Sequence, residues 1–294
     1  LAVTASAVAA MVIHLAWLWP QQGASPRQLT VEDRIRRDLS VPVIYRNPAC
    51  DQWFHSDELV PCVYDPAGGG APTVVFLGDS IGAQWLPALY RYVEARGLRL
   101  VVLTKSSCPI VDLPLFLPRI NRRFTECETW RRAAVDYIQG LKPSWLIMGS
   151  SLPGFSTDEW REGTRRIIEP IAANGIRVLI LAPTPELDVH VPHCLATQAR
   201  LESGRLVSER CRRDLADVEP TQVIAALREA VESVPGSALV DLNSHVCADG
   251  ICGGLRDGRV TYRDDRHLNA GFVEDIERPF IAELERGLDA AGRR

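Results

Sequence analysis

From Thr73 to the end of the chain, short and almost wholly apolar runs alternate with longer amphipathic stretches. Few folds accept that alternation. The apolar runs are TVVFL (Thr73–Leu77), LRLVVLT (Leu98–Thr104), SWLIMG (Ser144–Gly149), IRVLILA (Ile176–Ala182) and ALVDL (Ala238–Leu242). Helical patterns lie between them near Gln84–Arg96, Glu128–Leu141, Thr157–Asn174 and Thr221–Val234, and a last helix is predicted from about Ala270 to Leu288. Strands that are hydrophobic at nearly every position are buried on both faces, as in a parallel sheet. The pattern therefore predicts an α/β fold, a three-layer α/β/α domain over residues 73–294 with a parallel sheet of about five strands. A chain of 294 residues, 46% of them hydrophobic, is long enough to bury one such core. Sites in sheets of this kind gather at the carboxyl ends of the strands.

Residues 1–20, LAVTASAVAAMVIHLAWLWP, carry no formal charge and are long enough to cross a bilayer as a helix. Trp17 and Trp19 suit an interfacial anchor. A signal peptide is the alternative, but the basic start and the A-x-A site are missing. A buried soluble helix is the plainer one. The reading taken is a transmembrane helix with the rest of the chain on the extracytoplasmic side, in the periplasm or at the cell surface. The chain opens on leucine, so it is also open to being the tail of a longer protein. Residues 21–72 read as a linker and a cysteine-bounded segment. They run through a polar stretch or short surface helix (Gln21–Ser40) and Cys50–Cys62 to the glycine joint DPAGGGAP (Asp65–Pro72).

Eight cysteines fall in close pairs, Cys50 and Cys62, Cys108 and Cys127, Cys194 and Cys211, Cys247 and Cys252. That usage points to disulfides and an oxidising compartment. Sequential pairing is the simplest connectivity, although the sequence does not fix it. Zinc competes weakly: no pair has C-x-x-C spacing, and His193 beside Cys194 is a lone candidate, so no metal is expected. A net charge of −4 without a basic stripe gives no reason to expect nucleic acid.

Chemistry first shows in VVFLGDSIGAQW (Val74–Trp85), where Ser80 stands between the first strand and a helix. A hydroxyl there is exposed and close to free backbone N–H groups at the helix N-terminus. The plain alternative is that Asp79 or Ser80 only caps the helix. A nucleophilic serine needs a base, and the base needs an orienting acceptor. VTYRDDRHLNAGF (Val260–Phe272) offers both, with Asp264 three residues before His267. His190, His193 and His245 stay open, with Asp188 and Asp241 near in sequence. Gly78, Ser80 and Gly82 also spell G-x-S-x-G. An elbow of that kind normally follows several strands and has its acid far from its histidine, so the match reads as accidental.

Together these blocks make the chain resemble the SGNH (GDSL-like) hydrolase superfamily, which carries Gly-Asp-Ser after its first strand and D-x-x-H near its end. It is most similar to the SGNH domains attached to membrane acyltransferase-3 proteins, which modify glycans by O-acylation. The resemblance covers most of residues 48–290. It includes ACDQW (Ala49–Trp53), GDSIGAQW (Gly78–Trp85), TKSSCP (Thr104–Pro109), VPHCLA (Val191–Ala196) and YRDDRHLNA (Tyr262–Ala270).

The resemblance implies a flavodoxin-like sheet, with Ser80 as nucleophile, His267 as general base and Asp264 as its partner. The backbone N–H of Ser80 would form part of the oxyanion hole. The family's G-x-N-D block is replaced here by MGSSLPG (Met148–Gly154). Candidates for the remaining donors are therefore Ser107, Gly149, Ser150 and Ser151. Ile81 and Gly82 follow the serine where the attached domains commonly carry histidine. Paired cysteines recur in those domains, in line with disulfides.

The implied function is an extracytoplasmic O-acyltransferase or acetylesterase working on cell-envelope glycans through an acyl-enzyme. No cofactor is implied in this domain. The acyl donor would come from an acyltransferase-3 membrane domain in the same or a partner chain. Two other classes are carried: a non-catalytic glycan-binding module, motivated by the missing Asn, and a secreted lipase-like carboxylesterase, motivated by the apolar start.

Overall fold

The five apolar runs become the parallel strands of one sheet, and a sixth strand joins its edge. The computed structural model describes residues 30–201 and 208–293. Its main strands are β1 (Cys62–Tyr64), β2 (Thr73–Gly78), β3 (Arg99–Thr104), β4 (Trp145–Gly149), β5 (Arg177–Leu181) and β6 (Ser237–Val240). They lie in the order β1-β3-β2-β4-β5-β6; β1 is antiparallel to β3, and all other pairings are parallel. The helices are α1 (Val31–Asp38), α2 (Ser80–Ala83), α3 (Leu86–Ala95), α4 (Thr125–Leu141), α5 (Thr157–Ala172), α6 (Val191–Leu201), α7 (Thr221–Glu232), α8 (Ala270–Asp275) and α9 (Glu277–Gly292).

Successive strand residues face opposite layers, so one sequence run feeds two cores. Val74, Phe76, Leu100, Val102 and Ile147 pack with α3, α8 and α9, including Phe280 and Leu284. Val75, Leu77, Val101, Leu103 and Met148 pack with Trp130 of α4, Trp160 and Ile168 of α5, and Leu227 of α7. This is why the strands read as continuous hydrophobic blocks. Chain order reverses between β2 and β4, where β3 lies on one side of β2 and β4 on the other. The crevice beyond the carboxyl ends of those two strands is the topological switch point.

The stretch before Thr73, read as linker and cysteine-bounded segment, is packed onto the same unit. Ile35, Ile44 and Cys50 are in the core, and Val63 of β1 pairs with Val101. Asp38 accepts from the Val260 N–H at 2.7 Å, and the Thr104 hydroxyl donates to the Cys50 carbonyl at 2.7 Å. Helix α6 lies where the sequence reading placed no element. Residues 1–20, expected to form a transmembrane helix, lie outside the described residues. Among the described residues no helix is long and apolar enough to cross a membrane.

All eight cysteines are paired, in the sequential connectivity: Cys50–Cys62, Cys108–Cys127, Cys194–Cys211 and Cys247–Cys252. Cys50–Cys62 ties the turn ahead of β1 to β1 itself, and Cys108–Cys127 ties the loop that follows β3 to α4. Cys108–Cys127 closes a 19-residue separation, a span for which the loop-entropy model gives about 3 kcal/mol. The denatured, unreduced protein is accordingly expected to show no reactive thiol. Replacing Cys108 and Cys127 together by alanine should lower the unfolding free energy by about 2–4 kcal/mol in urea titrations.

Candidate active site

Strand β2 ends at Gly78, and Asp79 turns the chain into α2. Asp79 Oδ1 accepts the N–H groups of Ile81 (3.0 Å) and Gly82 (3.3 Å). Its Oδ2 accepts the Ser151 N–H at 2.8 Å and the Ser151 hydroxyl. Burial pushes the Asp79 carboxyl above the usual carboxylate range, and these donors oppose it. Capping and chemistry, which competed for the same tripeptide in the sequence, are thus divided between neighbours. Asp79 caps; Ser80 is left with its hydroxyl free to face outward.

Gly82 explains part of the departure from the family pattern. A Cβ there would stand 2.7 Å from the Gly149 carbonyl carbon, and one on Gly149 would stand 2.7 Å from Gly82 Cα. Helix α2 therefore rests directly on the end of β4, a contact only glycine permits at that separation. Ile81 is buried beside Ser80 and forms part of the cleft wall.

The histidine comes from the other end of the chain. Asp264 Oδ1 accepts the N–H groups of Arg266 (2.9 Å) and His267 (2.7 Å), which folds the loop back on itself. Its Oδ2 lies 2.8 Å from His267 Nδ1, and His267 Nε2 lies 2.9 Å from Ser80 Oγ. Burial alone would raise Asp264. The bonds from the His267 ring and backbone, with the His267 charge and the Arg266 N–H, outweigh it and hold the carboxyl well below the usual range. With Nδ1–H directed to this carboxylate, Nε2 is left to accept from the serine.

Gln84 holds that loop in register, a role the sequence reading did not see. Its Oε1 accepts the Leu268 N–H at 2.8 Å, and its Nε2 donates to the Thr184 hydroxyl at 3.0 Å, all in a fully buried position. Asn269 does similar work behind the histidine, accepting from Ser40 and donating to the Val260 carbonyl. A buried glutamine or asparagine must find partners for both ends of its amide, which is the signal that could have marked them.

Ser80 and His267 open into a cleft of about 490 Å³. Ser107 and Ser151 are at its lining with Glu186 and Arg266, while Phe116, Leu117, Leu152 and Pro153 make an apolar wall. Ser107 has φ +61°, in the left-handed region, at the turn that follows β3. The other two donor candidates, Gly149 and Ser150, are not among the residues that line the cleft. The Gly149 carbonyl accepts the Asp79 N–H, and the Ser150 hydroxyl accepts the Ile110 N–H at 2.7 Å beside a small internal void.

Among the described histidines only His267 meets a serine: His245 pairs with Glu283 at 2.9 Å, His190 caps the His193 N–H, and His55 lies against Phe54. No group of His, Cys, Asp and Glu able to hold a metal occurs among the described residues. A larger cavity, about 840 Å³, lies at the β1 edge and contains none of Ser80, His267 or Asp264. Volume alone does not locate the chemistry.

Two consequences can be measured. Gly82→Ala should destabilise the fold by about 1–3 kcal/mol in urea titrations, because both atoms it would strike are backbone. Asp264 titrates lower in the folded chain than in the unfolded one, where it lies near 3.9. Its contribution is therefore complete above that value and is lost as pH falls through the folded pKa. The stability gap between wild type and Asp264→Asn should close as pH drops below about 4.

A family model for the SGNH domain (fused to AT3 domains) matches residues 49–281. Among solved structures, the periplasmic domain of the Salmonella ser. Paratyphi A lipopolysaccharide acetyltransferase superposes with a TM-score of 0.55 at 13% identity. The match covers 78% of this chain and 86% of that one. At that identity the likeness shows the fold. A putative acylhydrolase from Bacteroides fragilis matches at TM-score 0.45 and 11% identity, over 75% of this chain and 90% of that one. The acetyl xylan esterase AlAXEase matches at 0.43 and 13%, over 71% and 98%. Among curated proteins, none matches this sequence. With four-fifths of its length matched by the family model, the chain belongs to the SGNH domains fused to AT3 domains, and is an enzyme of acyl transfer or ester hydrolysis.

Proposed function

We propose that the chain is an extracytoplasmic, serine-dependent O-acyltransferase of cell-envelope glycans that works through an acyl-enzyme on Ser80. The observation that carries this reading is the unbroken relay Ser80 Oγ–His267 Nε2 (2.9 Å) and His267 Nδ1–Asp264 Oδ2 (2.8 Å), open to a cleft at the switch point of the sheet.

In the proposed cycle His267 Nε2 takes the hydroxyl proton as Ser80 Oγ attacks the ester or thioester carbonyl. Asp264 keeps the ring in the tautomer that can accept and stabilises the imidazolium that forms. The tetrahedral intermediate collapses, the leaving group departs with the proton from His267, and the acyl group stays on Ser80. A sugar hydroxyl then gives its proton to His267 and attacks the acyl-enzyme, regenerating the serine. Water in that second step makes the same site an esterase.

Negative charge on the carbonyl oxygen would be met by the Ser80 backbone N–H and by donors at Ser107, which lines the cleft with Ser80; both donors of Ser151 are already committed to Asp79. The acyl donor would be delivered by an acyltransferase-3 domain, in keeping with the family in which this domain is fused to one. Four disulfides favour an oxidising compartment, and the apolar residues 1–20 supply the proposed anchor. The intact relay speaks against a purely glycan-binding module, which would have no need of it.

A serine-reactive phosphonate, followed by mass spectrometry, tests this directly. The adduct is expected on Ser80, and His267→Ala should slow labelling by about 10²–10⁴-fold. An unlabelled wild-type protein that still binds glycans would overturn the enzymatic reading.

A further inference from the structure

Among the described residues, the side chain of Arg263 has no counter-ion. Its Nε is buried without a hydrogen-bond partner, and among the described residues it is the one such atom that belongs to a charged group. The buried guanidinium of Arg131 is provided for: it donates to the Pro109 and Leu113 carbonyls at 3.1 and 2.9 Å. The partly exposed Arg259 has Asp38 and Asp275, and Arg213 has Asp188. A buried N–H with nothing to pair with is an arrangement that folded proteins avoid.

Arg263 does not stand alone. It lines a recess of about 470 Å³ with Arg46, Leu39, Ser40, Val41 and Asp264. The exposed Arg46 side chain, on the turn Val43–Arg46, likewise has no hydrogen bond or ion pair among the described residues. Asp264 is the only acidic side chain of that lining, and its oxygens are already engaged by His267 and the Arg266 N–H. The Ser40 hydroxyl is likewise taken, donating to Asn269 and accepting from the Gly271 N–H. Two arginines thus line one recess whose side-chain acceptors are already engaged.

We propose that this recess is an anion-binding site in which Arg263 and Arg46 together hold a carboxylate or phosphate group. Guanidinium forks match the paired oxygens of either group, which a water molecule cannot supply to two arginines at once. The recess and the cleft share the Asp264–His267 pair as a common wall: Asp264 borders the recess, and His267 borders the cleft. An acidic ligand held here is separated from the serine by the Asp264 and His267 side chains. The inference needs no step of the acyl-transfer cycle, since it concerns binding alone.

The test uses the whole chain, with the arginine Nε–H signals followed by NMR at constant ionic strength so that general screening does not move them. Inorganic phosphate and galacturonate are the two probes, with galactose as the uncharged reference. A saturable shift at the Arg263 signal is expected with at least one anion and not with galactose. Whether phosphate or galacturonate binds tells a phosphorylated ligand from a uronic-acid one. Arg46→Gln, at an exposed position, should weaken binding by about tenfold, and Arg263→Lys, which keeps the charge but loses the fork, by a similar factor. Circular dichroism checks that Arg263→Lys folds; if it does not, Arg46→Gln decides. No saturable shift with either anion would overturn the proposal, and so would wild-type affinity in the folded variants. A phosphonate-unreactive Ser80 in a protein that binds the anion would leave this site standing and remove only the acyl-transfer reading.

Discussion

Asp79 has no access to solvent, and each of its oxygens accepts two hydrogen bonds. One oxygen closes the first turn of α2, and the other gathers in the loop after β4. The arrangement around Ser80 depends on this carboxyl, because it fixes the serine's turn to the neighbouring strand rather than only to its own. Gly78, Gly82 and Gly149 let the pieces approach closely enough for those bonds to form. A buried carboxyl is expensive to desolvate, and it is tolerated here because its acceptor capacity is filled. The same satisfaction leaves Ser80 without a structural duty and its hydroxyl free to meet His267.

The histidine is fixed by a second set of contacts that reaches across the chain. His267 is 187 residues from Ser80, so no local preference can bring them together. The Asp264 turn orients the ring, Gln84 holds the Leu268 backbone, and Asn269 ties the loop to Ser40 and Val260. Gln84 lies four residues after the serine, so the turn that presents Ser80 also holds the loop that presents His267. That economy makes the relay sensitive to any shift of α2 relative to β4. Disulfides Cys50–Cys62 and Cys108–Cys127 brace the loops at the end of β3, next to Ser106 and Ser107.

Much of this was legible beforehand. The apolar runs located all five parallel strands, because burial on both faces leaves a signal in every residue. Ser80, Asp264 and His267 stood out because G-D-S and D-x-x-H each compress a structural requirement into a few positions. The three-residue strand β1 and helix α6 were not visible. β1 has only Cys62, Val63 and Tyr64, with Val63 half exposed, and α6 mixes apolar and polar residues without a strong period. Ser150 and Gly149 stood as donor candidates on nearness in sequence, yet adjacent residues leave a strand end in different directions. Ser151 faces the cleft, while the Ser150 hydroxyl is held by Ile110.

The sequence by itself determined the layered α/β architecture, the close spacing of its cysteines, and the G-D-S and D-x-x-H motifs from which the relay is built. Each of these is written in local pattern: periodicity, spacing or a short motif. Only the tertiary structure decided how Ser80 and Asp79 divide chemistry from capping, and which histidine reaches the serine. It also decided that residues 30–64 belong to the same packed unit, and that Arg263 and Arg46 line one recess with no counter-ion among the described residues. Those facts depend on which distant atoms satisfy which buried polar groups, and a polar group's partner is set by the packing of the whole chain.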